Sequence, residues 1–331
     1  MAFRKTMISF RTELNISSPA TLFGLKDRFL TMGSCFAEVM GRKLQHYKLG
    51  TQVNPFGTIF NPLSVCKLLQ QSLTPAQEFT GELVERDGYW YAYDLHSNFT
   101  ATSRAQLSQN IQQLFRQTHT YLAQADVLVL TFGTAVAYVH QESRQVVANC
   151  HKIPQRYFVK RVISITEMLE AFRSLYPALR QLNPNLRILL TVSPVRHLKE
   201  TLELNSMSKS SLRVFCHEII RELPAASYFP AYEIMLDDLR DYRFYKADMI
   251  HPSEVAEDYI WEKFKQAYFE PKFQKFTQEW DQLQQALQHR PFQPESAAHQ
   301  AFLRNLLTRL EKLPPLVDCT TEIELVKNQL K

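Results

Sequence analysis

Glycine is scarce in this chain, with 8 in 331 residues against an average usage of about 7%. No GxGxxG run and no GxxxxGK[ST] run occurs, which excludes a glycine-rich dinucleotide loop and a P-loop. Each remaining glycine reads as the answer to a backbone need, either a positive φ or a close approach. Cysteine is limited to Cys35, Cys66, Cys150, Cys216 and Cys319, scattered and without a CxxC pair. Neither a disulfide framework nor a structural zinc site is indicated, so reduced thiols and no metal are the expectation. No stretch approaches the roughly 18 uninterrupted apolar residues of a membrane span, and the opening MAFRKTMISFRTELNI lacks the apolar core of a secretory leader. Charge of one sign is missing too: 38 basic and 33 acidic residues leave +5 at pH 7, too little and too dispersed for a nucleic-acid binder. The resulting expectation is a cytoplasmic protein with a small-molecule partner, no cofactor, no nucleic acid and no membrane.

What is present is a chain 45% hydrophobic and 21% charged, enough for one large domain or two modest ones. Arg28 to Met32 is a short apolar run that stops at Gly33-Ser34 and gives way to apolar residues at helical spacing, a strand–turn–helix. Gly50 to Phe56 reads as a second strand closed by Gly57, with a helix from Pro62 to Ser72 after it. Residues 77–100 read as a hairpin insertion turning at Asp87-Gly88. A helix over 103–123 leads into DVLVLTF at 126–132, the continuous apolar run of a central parallel strand, which ends at Gly133. A second hairpin is predicted in 138–158, followed by a helix over 166–182 without an acidic capping partner and a strand over 186–192. A helix over 207–222, a strand near 226–230 and a helix opening at His251-Pro252 complete the alternation. Parallel neighbours require crossover helices, so this is an α/β fold: a doubly wound parallel sheet with helices on both faces, in three layers like flavodoxin. After Tyr268 the composition shifts to Gln, Lys, Glu and Leu, interrupted by prolines. The predicted division is 1–268 for the α/β domain and 269–331 for a C-terminal helical extension.

Ligands of open α/β sheets bind beyond the carboxyl ends of the strands. Those ends carry Gly33-Ser34-Cys35, Asn54-Pro55-Phe56-Gly57, Gly133-Thr134-Ala135 and Ser193-Pro194-Val195-Arg196-His197, to which the last turn adds Asp248 and His251. Ser34 stands where a helix dipole would favour a nucleophile, and equally where serine caps a helix. Cys35 is the rival nucleophile, with a buried inert thiol as its other reading. Asp248-x-x-His251 puts a carboxylate and an imidazole on one turn, close enough for the acid to fix the imidazole tautomer. Arg196 and His197 could hold an anionic group on a substrate, or Arg196 could pair with Asp237, Asp238 or Asp241. Asn149 and His151, in NCHK, could reach back over the third strand end or simply close a hairpin.

The segment Gly33-Ser34-Cys35-Phe36-Ala37 spells GSCFA, and the chain resembles the GSCFA family of the SGNH or GDSL-like hydrolase superfamily. FRTELNI, NPFGTIFNP, TFGTA, NCHK, SPVRH and the block from YFPAYEIML to DYIWEKF carry the resemblance in order over about residues 8–268. It implies Ser34 as nucleophile, His251 as base and Asp248 as its orienting acid. It also implies an oxyanion hole at the amides of Ser34 and Gly57. The superfamily's third donor, the asparagine of a GxND turn, is replaced here by Ala135, and Asn149 or His151 is the nearest polar substitute. Asn54, Thr134, His151, Arg196 and His197 are the substrate-binding candidates. The implied activity is hydrolysis of an O-acyl ester on a small polar or carbohydrate alcohol. O-acyl transfer on the same scaffold and a catalytically degenerate binding module are the alternatives.

Overall fold

The computed structural model describes residues 11–199 and 201–330. Residues 1–10, with the start of the stretch read for a leader and the first residues of the family resemblance, lie outside the described residues. In chain order the elements are β1 (Phe29–Gly33), α1 (Cys35–His46), β2 (Thr51–Val53), α2 (Pro62–Leu73), β3 (Leu83–Arg86), β4 (Tyr89–Ala92), β5 (Thr100–Ala101) and α3 (Arg104–Leu122). They continue with β6 (Val127–Phe132), β7 (Val136–His140), β8 (Val146–Val147), β9 (Phe158–Val162), α4 (Ile165–Leu182), β10 (Arg187–Val192), α5 (Leu202–Glu222), β11 (Ala226–Tyr228) and α6 (Ala231–Leu236). The chain closes with α7 (Glu254–Tyr268), α8 (Pro271–Gln288), α9 (Ala297–Glu311) and α10 (Thr320–Lys327).

Five strands form one parallel sheet in the order β11-β10-β6-β1-β2. Numbered along the sheet's own path this is the flavodoxin-like order, with its switch point between β1 and β6. The central strands read as near-continuous apolar runs because helices cover both faces. Phe29, Val127, Val129 and Leu189 face a cluster built with α1, α6 and α7, while Leu30, Met32, Leu128, Leu130, Ile188 and Leu190 face α2, α3, α4 and α5. Each such buried side chain contributes about 1.5–3 kcal/mol of transfer free energy. The C-terminal helices share the first of these cores: Phe273, Phe276 and Trp280 of α8 and Leu303, Leu306 and Leu310 of α9 belong to the same cluster as Phe36 and Trp261. No described helix is long and apolar enough to cross a membrane.

The insertions form two separate three-stranded antiparallel sheets, β3-β4-β5 and β8-β7-β9, each with one strand more than a hairpin. Asp87 and Gly88 both have positive φ, 54° and 79°, as a two-residue primed turn requires. Several boundaries move. β2 stops at Val53 because Asn54 turns the chain at φ 39°. α4 opens earlier than expected, at Ile165, where Ser164 and Glu167 form a reciprocal capping box that the expectation, centred on Thr166, missed. α5 starts at Leu202 under a Thr201 cap, and α7 starts at Glu254 under Ser253, after His251-Pro252.

Gly33 shows why β1 ends as it does. Its φ is +141°, and an added Cβ would lie 2.0 Å from the Thr131 carbonyl oxygen of β6. Gly33→Ala should therefore destabilise the protein by several kcal/mol or prevent folding, because the contact is with backbone that cannot move aside. Gly88→Ala, where nothing lies within 4 Å, should cost no more than the ~1 kcal/mol of its backbone conformation. Thermal unfolding of the two variants compares them directly.

Candidate active site

Ser34 follows Gly33 at the switch point and is completely buried. Its amide donates to Thr131 O at 2.9 Å, continuing the β1–β6 ladder, and its Oγ accepts from the Phe36 amide at 3.3 Å as the N-cap of α1. Asn54 ties the second strand end to this turn: its Oδ1 accepts from the Gly33 amide at 3.0 Å and its Nδ2 donates to Ser34 O at 3.4 Å. Opposite stands Gly133 at the end of β6, where an added Cβ would meet Phe60 at 3.1 Å, His197 Nε2 at 3.2 Å and Ser34 Cβ at 3.3 Å. Ser34 and His197 thus both border the space that a side chain at Gly133 would fill.

The turn before α7 carries Asp248 and His251. Asp248 Oδ1 accepts from the Ile250 amide at 2.9 Å and the His251 amide at 3.0 Å, and Oδ2 holds His251 Nδ1 at 2.7 Å. The His251 amide and ring and the Ile250 amide keep the Asp248 carboxyl well below the usual carboxylate range. It is therefore the ionised acceptor that fixes the His251 tautomer with hydrogen on Nδ1 and leaves Nε2 as the basic nitrogen. His251 shares a 230 Å³ cavity with Cys35 and Phe36, the residues immediately after Ser34. No hydrogen bond joins Ser34 Oγ to His251 in this conformation, since the hydroxyl is turned to its cap.

Arg196 binds this turn and no carboxylate. Its amide donates to Ile250 O at 3.1 Å, its guanidinium to Met249 O at 3.0 Å, and it stacks over Tyr245 and Tyr242. The ion pair of Arg196 with Asp237, Asp238 or Asp241 is not formed; instead the residue braces the loop that carries His251.

Thr134, Asn149, His151 and His197 line a cavity of 560 Å³ beyond β6, with Phe60, Asn61 and Ser208. The expected oxyanion groups are not free to serve there. The Ser34 amide is spent on Thr131 O, and the Gly57 amide donates to Asn54 O at 2.8 Å. Asn149 donates its Nδ2 to Ser97 and accepts from the His151 amide. The His151 ring is held at both nitrogens, by Ser97 Oγ at 3.1 Å and Ala92 O at 2.7 Å, beneath Tyr91 and Tyr93. Both residues secure the insertion that they close. Ala135 leaves no gap: it is fully buried, with its amide on Ser208 Oγ at 2.7 Å, and Thr134 Oγ1 shares that hydroxyl at 3.0 Å. The Cys35 amide, the first of α1, donates to no carbonyl among the described residues and lies against its own thiol. Burial pushes the Cys35 thiol up, opposite to the activation a helix N-terminus can give.

Sequence reasoning missed Lys209. It is 1% exposed, and its Nζ donates to Gly133 O and Ser193 O, both at 2.7 Å, clamping the carboxyl ends of β6 and β10 together. Burial brings its pKa down to about 7. The signal was available, because Lys209 stands in the buried stripe that Leu212, Phe215, Cys216 and Ile219 draw along α5. His197 is the other unusual group. Burial first, then the charges of Lys209 and His251, push its pKa down to about 3, and its Nε2 is sealed from solvent without a hydrogen-bond partner among the described residues. An unpaired buried polar atom of this kind costs about 1–3 kcal/mol.

Ser34 thus stands at the switch point of a flavodoxin-ordered sheet, with the Asp248–His251 turn at the same carboxyl edge. The chain belongs to the GSCFA family: the family's model matches residues 28–264, and that of its C-terminal domain matches 280–331. No curated protein matches the chain. Among solved structures, one from Streptococcus pneumonia named for a platelet activating factor is 12% identical, covers 74% of this chain and 85% of its own, and superposes with a TM-score of 0.38. A carbohydrate esterase family 3 structure from Talaromyces cellulolyticus is 8% identical over 79% of this chain and 99% of its own, at a TM-score of 0.30. Likenesses this loose say nothing of the chain's chemistry.

The His197 shift fixes a pH dependence. In the unfolded chain this imidazole takes its proton near the ordinary value of 6.5, whereas the native state refuses it down to about 3. Between those values the unfolded state binds the extra proton, so stability falls as pH drops from about 6.5. His197→Phe should lose less stability than the wild type between pH 7 and pH 5, as measured by urea unfolding at each pH.

Proposed function

We propose that this protein is an SGNH-type serine hydrolase that cleaves an O-acyl ester of a small polar or carbohydrate alcohol. The observation that carries the reading is the Asp248–His251 pair, held at 2.7 Å on a turn that opens onto the N-terminus of the helix capped by Ser34. In the proposed reaction Ser34 Oγ leaves the Phe36 amide, at the cost of a cap worth about 1 kcal/mol. It attacks the ester carbonyl while passing its proton to His251 Nε2. Asp248 stabilises the imidazolium through Nδ1. The tetrahedral oxygen collects at the start of α1, where the Cys35 amide has no carbonyl partner and the helix dipole favours negative charge. Collapse expels the alcohol, which takes the proton from His251. Water then attacks the acyl-serine, with His251 again accepting the proton; an incoming alcohol in place of water makes the same site an acyltransferase.

A second reading, a ligand-binding module without turnover, draws on one observation: the buried Ser34 hydroxyl is turned to its cap and unjoined to His251. A fluorophosphonate probe separates the two. The hydrolase reading predicts covalent labelling at Ser34 that is lost in Ser34→Ala, kept in Cys35→Ala and slowed by about 10²–10⁴-fold in Asp248→Asn. Absence of labelling in the wild type, or labelling at Cys35, removes the hydrolase reading.

A further inference from the structure

The reaction needs a side-chain donor where the superfamily's asparagine is replaced by Ala135, and the polar groups around that point are already spent. Asn54 is bonded to the Gly33 amide and Ser34 O, Asn61 to the amide and hydroxyl of Ser64, Asn149 to Ser97 and the His151 amide, and His151 to Ser97 and Ala92 O. His197 is the exception. Its Nε2 is sealed from solvent without a partner, although it lies 3.2 Å from a point that is itself 3.3 Å from Ser34 Cβ.

Resting on the hydrolase reading, we propose that His197 is a catalytic residue: its Nε2–H donates to the tetrahedral oxygen formed on Ser34, in place of the missing asparagine. The ring is positioned for this before substrate arrives. Its backbone amide is fixed by Asn205 Oδ1 at 2.9 Å, and the edge-on ring of Phe60 packs against it at 5.3 Å between centroids. Gly133 keeps the intervening space open, since any side chain there would stand between Nε2 and Ser34. Burial and the neighbouring Lys209 keep the imidazole neutral, and a neutral imidazole carries a single ring N–H. With hydrogen on Nε2 that N–H has no acceptor at rest and gains one only as charge develops on the oxygen, the condition for lowering the barrier more than the ground state. His197 also lines the 560 Å³ cavity with Thr134 and Asn205, so the carbonyl oxygen would enter from that cavity, while His251 lines the separate 230 Å³ cavity beside Cys35 and Phe36.

Fluorophosphonate labelling kinetics test this without knowledge of the substrate, because the phosphonyl oxygen occupies the oxyanion position. In His197→Phe the maximal labelling rate at Ser34 should fall by about 100-fold with the probe's half-saturation nearly unchanged. His197→Asn, which keeps a donor, should recover most of that loss. In the wild type, phosphonylation should move the His197 Nε2–H proton resonance downfield, a readout that needs no variant to fold. Wild-type labelling rates in His197→Phe, equal losses in the phenylalanine and asparagine variants, or an unmoved resonance on labelled protein would overturn the role of His197 and leave the serine hydrolase standing. A wild type that is never labelled at Ser34 overturns both.

Discussion

The close approach of β1 and β6 at their carboxyl ends is the constraint on which the site depends. Gly33 lies so near the Thr131 carbonyl that no other residue fits, and the Ser34 amide extends the ladder by one more bond to that same oxygen. Ser34 is therefore placed by the sheet, with α1 springing from it at the one edge where parallel strands diverge to either side. Gly133, one strand over, keeps the facing wall free of side chains. In a chain with 8 glycines, two are spent on this single contact.

Around that contact the polar groups divide into those that build and those left to react. Lys209 joins the ends of β6 and β10, Asn54 joins β2 to the serine turn, and Arg196 joins the end of β10 to the turn of His251. Each spends its hydrogen bonds on backbone, so each sets the position of something else. Among the described residues the groups without such a bond include Nε2 of His197 and the buried hydroxyls of Thr31, Thr131 and Thr191, while the Cys35 amide meets no carbonyl and the His251 imidazole is tied only to Asp248. Preorganised groups of this kind need not be reoriented as charge develops, which is where electrostatic catalysis gains most.

The sheet was legible because its strands are continuous apolar runs and its turns are marked by rare glycines; DVLVLTF-G and LRILLTV admit no other assignment. The Asp248–His251 pair was legible too, since their spacing on one turn forces the contact. The group proposed as third oxyanion donor was not. Asn149 and His151 were the polar residues read as nearest to Ala135, but their side chains are engaged by Ser97 and Ala92 O, contacts across more than fifty residues that no local pattern reveals. The same holds for the Ser34 and Gly57 amides, whose carbonyl partners are set by strand register and turn shape. His197 was visible as a polar residue at a strand end, while the lack of a hydrogen-bond partner for its Nε2 among the described residues is a property of packing alone.

The central claim is that Ser34, His251 and His197 form one reacting constellation across the switch point. A crystal structure of the phosphonylated protein measures this most directly. The expected structure has phosphorus on Ser34 Oγ, now drawn away from the Phe36 amide, with the phosphonyl oxygen between the Cys35 amide and His197 Nε2 and the leaving side open toward His251. Phosphorus on another residue, or a phosphonyl oxygen turned to solvent with His197 unmoved and unbonded, would contradict it.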